Sequence, residues 1–94
     1  MSYTLGVSKE AKDRLISFNL PPEVLDAFQN FLRGVCESPS TFSKAACIPY
    51  PPNSQMAGEK FFDLQGNMYF INAFFRFSSD ETKLVFFDFG LSRF

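Results

Sequence analysis

The chain has 94 residues and a net charge of −1, from 9 basic and 10 acidic side chains, so general electrostatic attraction to nucleic acid is not expected. A hydrophobic content of 46% excludes a disordered chain and, at this length, points to one domain, residues 1–94, around one core. There are 14 Phe, no Trp and no His, so the core gains large apolar rings without polar handles and no Ser–His–Asp set can form. Two cysteines, Cys36 and Cys47, are too few for a disulfide framework and stand without a His partner for a metal. No glycine-rich phosphate loop occurs, and no cofactor is expected. No run has the apolar length of a membrane span, and no secretory signal precedes the first strand. The expectation is a cytoplasmic protein with reduced thiols and no membrane partner.

In chain order, Tyr3–Val7 alternates weakly and reads as a short strand. Ser8 is an N-cap, with Glu10 in the first turn of a helix from Lys9 to about Phe18. Ala11, Leu15 and Phe18 share its apolar side. Asn19-Leu20-Pro21-Pro22 breaks that helix and starts another, since proline fits a helix's first turn. Val24, Leu25, Phe28, Phe31, Leu32, Val35 and Cys36 then form one apolar stripe. Pro39 ends it. So short a connection implies an antiparallel helical hairpin.

Residues 38–58, with Pro39, Pro49, Pro51 and Pro52, read as a long surface loop tacked down by Phe42, Ile48 and Tyr50. From Lys60 the pattern is three strands. Gln65-Gly66-Asn67 turns between Lys60–Leu64 and Met68–Phe77, and Ser79-Asp80-Glu81 turns before Lys83–Phe89. Adjacent strands with short turns make an antiparallel meander. The fold class is therefore α+β.

Period-2 alternation sorts the strands into two faces. One holds Phe61, Ile71, Ala73, Phe75, Phe77, Val85, Phe87 and Phe89 and is expected under the helices. The other holds Lys60, Phe62, Phe70, Asn72, Phe74, Arg76, Leu84, Phe86 and Asp88. Unless the Pro-rich loop or the C-terminal end folds over it, this mixed face leaves phenylalanine in water, the mark of an interaction surface. Phe62, Phe70, Asn72, Phe74, Phe86 and Asp88 are its candidate binding residues. Asn72, Arg76 and Asp88 are placed to hydrogen-bond one another as cross-strand neighbours.

The order strand, helix, helix, three-stranded meander resembles the RelE/ParE toxin superfamily. So do the strings Tyr3–Ala11, Leu20–Val24 and Cys36–Pro39, and the final hairpin Phe74–Arg93 with Gly90 before a basic ending. The resemblance implies a β-α-α-β-β-β fold and a type II toxin–antitoxin module, neutralised by an antitoxin-like protein. It implies either mRNA cleavage on the ribosome or inhibition of DNA gyrase. The nuclease chemistry needs groups that activate a 2′-hydroxyl, stabilise phosphorane charge and protonate a leaving oxygen. Lys60, Arg76 and Arg93 are the basic candidates. However, Asn72 stands where an arginine is usual, the basic run after Gly90 shrinks to Leu91-Ser92-Arg93, and Tyr69 and Tyr50 are the only nearby phenols, Tyr69 being expected to face the core. The favoured expectation is a toxin-family protein acting through binding of an antitoxin-like partner or a second copy, at the mixed face or beside the helices. The alternatives are an endoribonuclease with an altered basic site, in which Asp88 orients a cation, and a gyrase inhibitor.

Overall fold

A computed structural model describes residues 3–42, 44–45 and 53–93. The elements are β1 (Thr4–Val7), α1 (Lys9–Ser17), α2 (Pro22–Glu37), α3 (Pro39–Phe42), β2 (Lys44–Ala45), β3 (Gln55–Phe62), β4 (Met68–Phe77) and β5 (Lys83–Arg93). They form one sheet in the order β1-β5-β4-β3-β2. β1 runs parallel to β5, and every other pair is antiparallel. The α+β class and the β3–β4–β5 meander are as expected.

The helix boundaries follow from their ends. Ser8 caps α1 by accepting the Ala11 N–H, which satisfies a donor the first turn leaves unpaired. Asn19 ends the turn after α1 with a φ of 51°, a left-handed conformation that asparagine tolerates well. Pro22 opens α2, and Val24, Phe28, Leu32, Val35 and Cys36 are buried along its length. Leu25 and Phe31 sit at the margins of that stripe, half-buried. α1 packs chiefly on β5, α2 on β3 and β1, and both helices line a groove.

The Pro-rich segment is shorter than expected. α3 takes up Pro39–Phe42, and β3 begins at Gln55, five residues before Lys60. Ile48, Tyr50 and the side chain of Phe42 lie outside the described residues, as does Cys47. Cys36 is a buried free thiol, and burial pushes its pKa up.

Each hairpin turn is organised by one aspartate. Asp63 accepts from the Gln65 and Asn67 N–H groups at 2.9 Å each, from Asn67 Nδ2 at 2.9 Å and from the Tyr69 hydroxyl at 3.1 Å. Gly66, with φ 85°, supplies the left-handed residue that this turn requires. Asp80 accepts from Ser78 Oγ, Thr82 Oγ1 and the Thr82 N–H. These bonds favour the ionised carboxylates: the Asn67 side chain leads in lowering the Asp63 pKa, and Ser78 leads in bringing Asp80 to about 2.

The largest correction concerns β5. Phe74 faces Asp88, but Phe75 faces Phe86, so the register shifts by one residue at Phe87. This β-bulge reverses the alternation of everything before it on the strand. Leu84 and Phe86, expected on the outer face, are fully buried. Val85 and Phe87, expected in the core, are only half-buried. Phe89, beyond the bulge, is in the core as expected. Phe77 sits at the margin, 36% exposed, with its ring edge-on to Tyr3 at 5.3 Å.

The core is a phenylalanine cluster. Phe28 of α2 meets Phe61 and Phe89 edge-on, with centroids 5.7 and 5.3 Å away. Phe86 lies 5.1 Å from Phe75 and 6.3 Å from Phe89. Such offset and edge-on contacts suit the ring quadrupole and add to the area buried.

Candidate functional site

The three basic candidates do not converge. Lys60 is exposed on the sheet face away from the helices, opposite Phe70. Arg76 is exposed on that same face but six residues further along β4, or roughly 20 Å at ~3.3 Å per residue. Arg93 pairs in register with Tyr69 on the helix side. There its guanidinium donates to the Phe18 carbonyl at 2.6 Å and lies 5.7 Å from the centre of the Tyr69 ring. It thus ties the end of β5 to the turn after α1.

The remaining candidates are also dispersed. Tyr69, as expected, faces the core side, and its hydroxyl is engaged by Asp63. Burial leads in raising its pKa. Asp88 pairs with Arg14 of α1 at 3.1 Å. Asn72 is half-buried between Gly58 and Gly90 in the cross-strand row. A Cβ at Gly58 would overlap the Asn72 side-chain oxygen and crowd Phe70, so this glycine makes room for both. Of the four phenylalanines assigned to the outer face, Phe86 is in the core, Phe74 is 9% exposed, Phe70 is half-buried and only Phe62, at 59%, stands in water. Among the described residues no group of three His, Cys, Asp or Glu could hold a metal, and no helix is long and apolar enough to cross a membrane.

What does converge is apolar. α1, α2 and β1 enclose a groove of about 650 Å³ lined by Leu5, Val7, Leu15, Ile16, Leu20, Leu25, Leu32 and Phe89. Lys12, Asn19, Gln29 and Arg33 also line it, and among the described residues no carboxylate does. The local reasons are plain. β1 pairs with only the first four residues of β5, and the Ser8 N–H closes the ladder on the Phe86 carbonyl. The chain then turns into α1, which takes over beside the rest of β5, while α2 crosses to β3. Leu15 of α1 and Leu25 and Leu32 of α2 line the space.

Most of this groove was outside the sequence reading. The helical spacing places Leu15 and the α2 stripe in the core as a whole. The missed residue is Ile16, 65% exposed. Its signal was present: at helical spacing it shares a side with Lys9 and Lys12, where an isolated isoleucine has no core to join. Leu5 and Val7, 38% and 40% exposed, have the same character on β1. Compared with known proteins, the chain matches no family model, no curated protein and no solved structure.

Proposed function

We propose that this chain is a RelE/ParE-like toxin-family protein that acts by binding another protein, and that the groove between α1, α2 and β1 receives an antitoxin-like segment. The observation that carries this reading is the contrast between converging apolar side chains and dispersed cations. Eight apolar residues line one groove, whereas Lys60, Arg76 and Arg93 point to three separate places. Acid–base catalysis of phosphoryl transfer needs its groups within hydrogen-bond reach of one substrate. The element order and the strings Tyr3–Ala11, Leu20–Val24, Cys36–Pro39 and Phe74–Arg93 support the family; the groove supports binding as the activity.

The lining constrains the partner. Its floor suits an amphipathic segment with regularly spaced leucine-like side chains. Among the described residues its charged lining groups are Lys12 and Arg33, which favour acidic residues flanking that stripe. The test is co-expression with the product of the neighbouring gene, followed by titration of the purified pair. Ile16→Asp and Leu25→Asp should each weaken binding at least about tenfold, since a buried unpaired carboxylate costs more than 1.4 kcal/mol. Lys60→Ala and Arg76→Ala should leave it unchanged. Growth arrest on expression that Arg76→Ala or Lys60→Ala relieves would instead support the ribonuclease reading and sink this one.

A further inference from the structure

We infer that Arg93 and Glu23 are positioning residues for the groove, a two-point clamp that holds the α1–α2 connection in the shape a partner binds. The inference rests on reading the groove as a binding site. Among the described residues, neither Arg93 nor Glu23 lines it. Residues 18–21 connect the two helices. Asn19 and Leu20 of that connection line the groove, as does Leu25 near the start of α2. Phe18, just before them, has its carbonyl bonded by the Arg93 guanidinium at 2.6 Å. Glu23, between Leu20 and Leu25, accepts the Leu64 N–H at 3.1 Å. The lining residues are thus tied to the sheet from both sides of the connection.

The chemistry of the first tie asks for arginine. Phe18 is the C-cap of α1, and the carbonyls at a helix end favour a cation. A guanidinium can donate there while its plane stacks on an aromatic face. The Arg93 guanidinium carbon lies 5.7 Å from the centre of the Tyr69 ring, within cation–π range. Tyr69 is held in turn, because its hydroxyl donates to Asp63 at 3.1 Å. Asp63 also orders the turn that presents the Leu64 N–H to Glu23. Both ties therefore share one anchor, the β3–β4 turn.

The connection needs holding. Asn19 has a φ of 51°, and residues in left-handed conformations persist where the surrounding structure determines them. Releasing either tie lets the connection leave its binding shape. A connection in that shape only about one-fifth of the time weakens binding about fivefold. A loss of activity on changing Arg93 would then report the groove and not phosphate chemistry.

Amide hydrogen exchange reads the clamp without a partner. The Phe18 and Asn19 N–H groups bond to the Leu15 and Ile16 carbonyls, and the Leu25 N–H to the Pro21 carbonyl. Arg93→Ala should speed exchange at Phe18 and Asn19 at least about fivefold, and Glu23→Ala at Leu25, while Ile71 and Ala73 in β4 keep their rates. In titrations with the co-expressed product of the neighbouring gene, each variant should weaken binding at least about fivefold, with unchanged far-ultraviolet circular dichroism. Arg93→Lys keeps the cation but not the stacked plane, and should fall between Arg93→Ala and the wild type. Unchanged exchange at Phe18 and Asn19, an equal rise in β4, or full affinity in Arg93→Ala would each overturn the inference. A wild-type protein that binds no partner would sink the proposed function, and the exchange rates alone would then uphold or overturn the clamp.

Discussion

The two faces of this sheet share a composition and differ in what they do. The helix side buries Phe61, Phe75, Phe86 and Phe89 with Phe28 of α2 in one contiguous cluster. The outer side also carries phenylalanine, but graded from Phe74, nearly buried, through Phe70 to Phe62 in water. A phenylalanine count therefore locates a sheet without saying which rings hold it together. That depends on the neighbour supplied from above, here α2, and on a single bulge that decides which ring of Phe86-Phe87 turns inward.

This contrast can be broken most decisively at those rings. Phe86→Ala removes a fully buried ring and should cost about 3–5 kcal/mol in denaturant unfolding. Phe62→Ala should stay within about 0.5 kcal/mol, as a change on an exposed face does. If the two losses were equal, the register at the bulge would be wrong.

The next effect belongs to the turn that joins β3 to β4. Asp63→Ala removes the acceptor of four hydrogen bonds, leaving two main-chain donors and the Tyr69 hydroxyl to find water. The denaturation midpoint should fall clearly, though less than for Phe86→Ala. Glu23 also accepts the Leu64 N–H at 3.1 Å, so the same turn is pinned to the start of α2 and should not melt independently of it.

Acid titration sharpens the comparison between the two turns. Asp63 and Asp80 both have folded pKa values below the ordinary carboxylate range. A depressed folded pKa contributes stability that is fully present above the unfolded value and is lost as pH falls through the folded one. For Asp80 that window runs from the ordinary 3.8 down to about 2. Asp80→Asn should therefore flatten the acid limb of a stability–pH profile over that range and change little at neutral pH beyond the loss of the charge-assisted bonds themselves.

The smallest expected effect is at the Arg14–Asp88 pair. Arg14 is 58% exposed, and exposed ion pairs contribute less than about 1 kcal/mol. Arg14→Ala should be nearly silent in thermal unfolding, and 0.5 M salt should not alter the wild-type midpoint through this pair.

Much of the architecture was legible in local chemistry. Ser8 as a cap, prolines at the start of α2, the apolar stripe through Phe28 and Leu32, and the turn residues around Gly66 and Asp80 each act over a few neighbouring residues. The sequence therefore carries them openly. The β3 start was missed because Gln55-Met56-Ala57-Gly58 has weak strand propensity, and pairing with β4 overrides it.

By itself, then, the chain's alternation and capping determined an α+β domain with a meander and two preceding helices. Only the tertiary structure decided which side of β5 its rings take, because a bulge is a property of pairing and leaves no mark in one strand's own pattern. Tertiary packing also brought Leu5, Val7 and Ile16 to one groove with core residues such as Leu32 and Phe89. The same packing scattered Lys60, Arg76 and Arg93, since residues that share a charge in sequence converge only if strand register brings them to one place.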